Sequence, residues 1–170
     1  GMIGPRLEEG LAMLPYLTGM VVMVSDKGLG KVRAHSDGRA DVTYHFAEDD
    51  VARIKKGMEV TADVMLAGGA KKIFVPVHGV DWATSSRELG ESLADKTIRD
   101  FTLYASHPMS TCRMGLDPET SVIGPDGRAH RLPGLAIADA SVFPTSLGVN
   151  PQLTTMVVAT QIGRQLLERH

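Results

Sequence analysis

Two polar stretches in the last third of the chain carry residues able to do chemistry. The first is His107-Pro-Met-Ser-Thr-Cys-Arg-Met-Gly115, a glycine-ended loop that opens on a histidine. The second runs from Gly134-Leu-Ala-Ile-Ala-Asp-Ala-Ser-Val-Phe-Pro-Thr145 into Ser146-Leu-Gly-Val-Asn-Pro-Gln152. An imidazole titrates near neutrality, with an ordinary pKa of about 6.5, so His107 is a candidate general base. A lone histidine is more often structural than catalytic, so its type alone does not make it a base. Asn150 before Pro151 reads as a helix N-cap with proline at the first helical position. A third stretch, Gly28-Leu-Gly30-Lys-Val-Arg33, has the glycines of a phosphate loop. The dinucleotide fingerprint needs a small residue where Arg33 stands, with a strand before it and a helix after it. Its flanks read instead as a hairpin, so the run is expected to be a glycine-rich turn.

The bulk properties narrow the field. The chain has 170 residues, 18 basic and 20 acidic side chains, a formal net charge of −2 and 43% hydrophobic residues. That hydrophobic share supplies a core and excludes wholesale disorder. The balanced charge argues against a nucleic-acid partner. A single cysteine, Cys112, excludes an intrachain disulfide and a four-thiolate zinc site, and six scattered histidines form no metal cluster. The apolar run Met20–Val24 is far short of the ~20 residues a membrane span needs. A cytoplasmic location is the expectation. Gly1 before Met2 reads as a cleavage scar, which would make Met2 the start of the reading frame.

The elements follow from periodicity. Residues 7–18 read as a short helix interrupted near Pro15, and Met20–Val24 as a buried strand. Residues 31–35 and 40–46 read as strands joined by the turn Ser36-Asp37-Gly38, with Val42, Tyr44 and Phe46 on one face. Residues 47–69 carry a helical repeat weakened at Gly57 and ended by Gly68-Gly69. Lys71–Val77 reads as a strand, with Pro76 marking an edge position or the strand's end. A helix over 85–95 is expected to be capped by Ser85 or Ser86. Residues 107–134 read as ordered loops, 135–138 as a strand, and 152–168 as an amphipathic helix. The sum is an α+β fold with a mixed or antiparallel sheet. Cys112 is expected to be a small buried group and Arg113 a loop-organising ion-pair partner. His45, His78 and His130 read as surface or turn residues.

In combination, the polar stretches resemble the C-terminal signature of the glucose–methanol–choline (GMC) flavoprotein oxidoreductases. The match covers His107–Gly115, Ser121-Val-Ile, Gly127-Arg128, Leu135–Thr145 and Gly148-Val-Asn-Pro-Gln-Leu-Thr154, in family order and spacing. The resemblance implies residues 1–105 as a substrate-domain portion. It implies 106–170 as active-site loops with a C-terminal strand and helix that join an FAD domain. It makes His107 and Asn150 the catalytic pair, His107 as base toward a substrate hydroxyl and Asn150 as an amide partner of the developing alkoxide. It places Asp139, Ala140, Asn150, Pro151 and Gln152 along bound FAD. Gly124 stands where the family usually has an acidic residue or a similar turn former, which puts the local turn in question.

Family members are far longer and carry a Rossmann half that holds the ADP portion of FAD; these residues contain no such fingerprint. The expectation is that this chain alone binds FAD weakly or not at all and is inactive by itself. Its apolar stripe Leu153, Met156, Val157 and Ile162 would then face water unless covered by a separate flavin-binding chain or a second copy. A small alcohol is the implied substrate class. The competing reading is a non-catalytic binding or oligomerisation module built from the same motifs.

Overall fold

A computed structural model describes residues 3–168, so the Gly1–Met2 junction lies outside them. The chain is α+β: four α-helices and one two-stranded antiparallel sheet among the described residues. It divides into two compact units. One comprises the chain up to Met23 together with Val51–Leu103; the other comprises Val24–Asp50 together with the chain from Tyr104 onward.

In the first unit, α1 spans Pro5–Met13 and is followed by a 3₁₀ turn, Leu14–Tyr16. Proline at the start of each is favoured, because the missing N–H falls where a helix has no acceptor for it. Helix α2 spans Glu48–Ala67, and its first turn carries Glu48, Asp49 and Asp50, which suit the positive end of the helix dipole. Gly57 does not break it. A Cβ there would stand 2.5 Å from Val22 Cγ1, so the glycine seats Val22 against the helix. That seat replaces the expected Met20–Val24 strand. The segment pairs with no strand, and Met20, Val21 and Met23 are exposed. β-forming side chains cannot make a ladder without a neighbouring strand.

Lys71–Val77 is extended with the expected period of two: Ile73, Val75 and Val77 are buried, Phe74 and Pro76 are exposed. It pairs through isolated bridges, Ile73 with Ala83 and Val77 with Phe101, rather than in a continuous strand. Helix α3, Ser86–Leu93, begins as the sequence indicates: the Ser85 hydroxyl accepts from the Glu88 N–H at 3.1 Å. Its Leu89 and Leu93 are fully buried.

In the second unit, β1 (Leu29–Ala34) and β2 (Ala40–His45) form the hairpin, with Val32 opposite Val42 and Arg33 opposite Asp41. Gly38 takes φ +84° in the turn, a conformation that suits glycine. Gly28–Arg33 is therefore not the expected glycine-rich turn: Leu29–Arg33 pair along β1, in the hairpin that the flanks indicated. A Cβ at Gly28 would collide with the His45 carbonyl and the Tyr44 hydroxyl. Tyr44 and Phe46 meet edge to face at 4.9 Å, yet every residue of both strands is exposed.

The second unit's core is the cluster Ile123, Val142 and Phe143, with Met109, Met114, Ala129, Ile137, Ala140, Leu147 and Val158 packed against it. Leu135–Ala138 borders this core but forms no strand ladder. It makes single pairings, the Ala129 N–H to the Leu135 carbonyl and the Ile137 N–H to the Gly127 carbonyl. Helix α4 spans Gln152–Glu168. Its Ile162 is buried, so the predicted exposed stripe loses one member, while Leu153, Met156 and Val157 are exposed.

Candidate active site

His107 opens a loop whose backbone is laced to the segment after Asp139. The Ser110, Cys112 and Met114 N–H groups donate to the carbonyls of Ala140, Ser141 and Val142 at 3.4, 3.0 and 2.8 Å. Met109 and Met114, both half-buried, pack against the core cluster. These ties hold the loop in register while leaving the histidine half-buried, with Nδ1 3.4 Å from the Ser106 hydroxyl. Ser110 adopts φ +68°, the one non-glycine residue with a positive φ among those described. For an L-residue that conformation is strained, and the surrounding contacts must hold it.

Asp139 is exposed and caps a 3₁₀ turn, Ala140–Val142; its Oδ1 accepts from the Ser141 N–H at 2.8 Å. Hydrogen bonds from the Ser141 side chain and then its backbone hold the Asp139 carboxyl below the ordinary carboxylate range. Ala140 is half-buried and packs on the core cluster.

Asn150 is exposed and lies just before α4. Pro151, not Asn150, supplies the first helical acceptor: its carbonyl takes the Thr155 N–H at 2.8 Å and the Thr155 hydroxyl at 2.9 Å. Helix α4 thus starts at Gln152, one residue later than the cap reading placed it. Pro151 is buried and Gln152 exposed. The turn before Asn150 is braced from elsewhere in the unit. Gly148, at φ +68°, abuts Ser25, where a Cβ would stand 2.9 Å from the serine Cβ. The Ser25 hydroxyl donates to the Ser146 carbonyl at 3.3 Å. Segment 25–27 is anchored in turn by the fully buried Asp50, whose carboxylate accepts the Lys27 and Ala47 N–H groups at 2.9 Å each.

No hydrogen bond joins His107 to Asn150 among the described residues; what their segments share is the cluster on which Met109 and Leu147 pack. Two surface hollows lie elsewhere, one lined by residues including Ser121, Arg131 and Leu135, the other by His35, Arg39, Ala40 and Asp41.

The supporting residues revise three expectations. Cys112 is half-buried with a free thiol. Arg113 does organise the loop, by donating its Nε to the Thr120 carbonyl at 2.8 Å rather than to a carboxylate. His130 is half-buried, with Nε2 3.0 Å from the Ser121 hydroxyl and 3.1 Å from the Gly115 carbonyl. The turn at Gly124 closes normally, the Gly127 N–H donating to the Gly124 carbonyl at 2.9 Å. Ser25, Asp50, Ser110 and His130 were not singled out as site-supporting by residue type. Their roles come from contacts across as many as 121 positions, which spacing does not display.

Comparison with known proteins gives a consistent picture. The family profile described as GMC oxidoreductase matches residues 26–159. A long-chain-alcohol oxidase of Arabidopsis thaliana is 30% identical over 157 residues, covering 86% of this chain and 21% of the relative. An uncharacterized GMC-type oxidoreductase of Mycobacterium tuberculosis is 29% identical over 166 residues, covering 98% of the chain and 26% of the relative. An oxygen-dependent choline dehydrogenase of Pseudomonas putida is 27% identical over 154 residues, covering 83% and 26%. Among solved structures, pyridoxine 4-oxidase from Mesorbium loti superposes with a TM-score of 0.60 at 25% identity, covering 83% of this chain and 28% of that one. The chain spans about a fifth to a quarter of the length of these curated relatives. No helix among the described residues is long and apolar enough to cross a membrane. The chain belongs to the GMC oxidoreductase family, and it is the C-terminal portion of that family that its sequence matches.

Proposed function

We propose that these residues form the base-bearing, substrate-facing part of an FAD-dependent oxidoreductase acting on an alcohol. The observation that carries the reading is the lacing of the His107 loop to Ala140–Val142, with the turn before Asn150 packed on the same core. The names of the relatives, a long-chain-alcohol oxidase and a choline dehydrogenase, support an alcohol as substrate class. His107 takes the substrate hydroxyl proton, and the Asn150 amide donates a hydrogen bond to the oxygen as negative charge develops there. Met109 and Leu147 keep the two arms from drifting apart.

FAD is the cofactor that family membership implies; when bound, it supplies the acceptor for a hydride leaving the substrate carbon. The start of α4 fits it. The N–H groups of Gln152, Leu153 and Thr154 precede the first intrahelical bond, at Thr155, and so present unpaired donors at the positive end of the helix dipole. Asn150 and Gln152 are exposed beside them. Asp139 fits less directly, because its carboxylate already caps the Ala140 turn. Gly28–Arg33 offers no phosphate cradle, being a hairpin strand and its lead-in. Most of the binding free energy for FAD therefore comes from residues outside these 170, and this polypeptide by itself holds FAD weakly.

The exposed Leu153, Met156 and Val157 on α4 are the face on which a flavin-binding half docks, whether it is carried on the same chain or a separate one. The test is reconstitution. The 170-residue chain is mixed with FAD alone, and then with FAD and the N-terminal half of a GMC relative. Retained flavin absorbance and alcohol-dependent bleaching are expected only in the second mixture. Stoichiometric flavin on the chain alone sinks the weak-binding reading. A chain that dimerises through α4 and ignores the added half favours the oligomerisation module instead.

A further inference from the structure

We infer that His130 is a positioning residue that latches the end of the His107–Gly115 loop, and that it does so as the Nε2–H tautomer. Its bearing on catalysis rests on the role proposed for His107; the latch itself does not.

Chemistry fixes the tautomer. The imidazole Nε2 lies 3.1 Å from the Gly115 carbonyl oxygen, which can only accept. It also lies 3.0 Å from the Ser121 hydroxyl oxygen. That hydroxyl has one proton and gives it to the Asp117 carbonyl, at 2.5 Å. Toward the imidazole, then, Ser121 is an acceptor as well. Two acceptors converge on one ring nitrogen, so that nitrogen carries the proton. A bare Nε2 would turn its lone pair toward the carbonyl's and leave half-buried acceptors unmatched.

Packing points the same way. A Cβ at Gly115 would stand 2.9 Å from Ser121 Cβ and 3.0 Å from its hydroxyl, so glycine is what lets the two segments close. The Gly115 N–H donates to the Ile123 carbonyl at 3.0 Å. Gly115 is thus held at both polar atoms by the 121–130 segment. The residue before it, Met114, donates to Val142 and packs on the core. His130 thus holds the far end of a series of ties that runs back along Met114, Cys112 and Ser110 toward His107.

The tautomer is read directly on the unmodified chain, so no variant needs to fold. In ¹⁵N-resolved imidazole spectra at about pH 8, where an ordinary histidine is neutral, His130 is expected to show a protonated Nε2 and a bare Nδ1. A protonated Nδ1 overturns the proposal. Amide hydrogen exchange at Cys112 and Met114 reads the loop. His130→Ala is expected to speed it by roughly two- to tenfold, the range one net hydrogen bond supports. His130→Gln, whose amide nitrogen reaches the place of Nε2, should restore slow exchange, and His130→Asn, which is too short, should not. Unchanged protection in the alanine variant, or failure of glutamine to restore what alanine loses, overturns the latch. None of these outcomes depends on turnover, so a failure of the catalytic reading of His107 would leave them intact.

Discussion

Met109 and Leu147 pack against one hydrophobic cluster, the first two residues after His107 and the second three residues before Asn150. The two arms of the candidate site thus share a foundation although 43 positions separate His107 from Asn150 in the chain. Phe143 lies in that foundation at 4% exposure. Phe143→Ala is expected to cost about 3–5 kcal/mol, read by urea denaturation. Met109→Ala should cost less, because Met109 is only half-buried.

His107→Ala and Asn150→Ala test the chemistry rather than the fold. Neither side chain is buried, so thermal unfolding should shift little. With a flavin-binding half supplied, His107→Ala should lower turnover by about 10²–10⁴-fold, the usual worth of a positioned base. Reductive half-reaction rates that match the parent in both variants would remove the pair from the mechanism.

Gly127 and Ile162 are coupled. Gly127 has φ +78°, and a Cβ there would meet Ile162 Cγ2 at 2.4 Å. Gly127→Ala should destabilise by about 2–3 kcal/mol, from overpacking and backbone strain together. In an Ile162→Ala background the overpacking disappears, so the cost of the same change should fall to about 1 kcal/mol. Strict additivity in the double-mutant cycle would show that the contact does not matter.

Ser110 offers a gain. Its φ of +68° costs an L-residue about 1–2 kcal/mol, partly offset in glycine by the greater freedom of the unfolded chain. Ser110→Gly should therefore stabilise by about 0.5 kcal/mol, seen as a higher denaturation midpoint at unchanged slope. A loss of stability would mean that the serine side chain holds the loop.

Asp139 sets an acid limit on its turn. Its carboxyl is held below the ordinary range in the folded chain, by hydrogen bonds from Ser141. The stabilisation is fully present above the unfolded value of about 3.9 and is lost as pH falls through the lower folded value. Stability of the parent relative to Asp139→Ala should be level from neutrality down to about pH 4–5 and shrink below that. A gap that widens on acidification would reverse the sign.

What the sequence displayed and what it hid divide along a physical line. Helices α2, α3 and α4 were legible because their apolar repeat, Ser85 cap and glycine ends are local properties. The hairpin was legible from Ser36-Asp37-Gly38 and the alternation that follows it. Met20–Val24 and Leu135–Ala138 were misread as strands because a strand exists only with a partner, and partners are not local. Gly57 was read as a weakness in α2, whereas its missing side chain makes room for Val22. The family signature was legible as a pattern of residue types. Its supports were not: the chain from Asp50 through Lys27 and Ser25 to Gly148 joins four positions with no common motif.

The hairpin has two strands and therefore two open edges. Leu29, Val32, Val42 and Tyr44 lie exposed along them, a template on which another extended chain can add. The charges interleaved with these residues, Lys31 and Arg33 on β1 and Asp41 on β2, act as gatekeepers against such growth. Neutralising them should make the hairpin a nucleus for aggregation, so the shelf life of the isolated chain depends on charges far in sequence from His107 and Asn150.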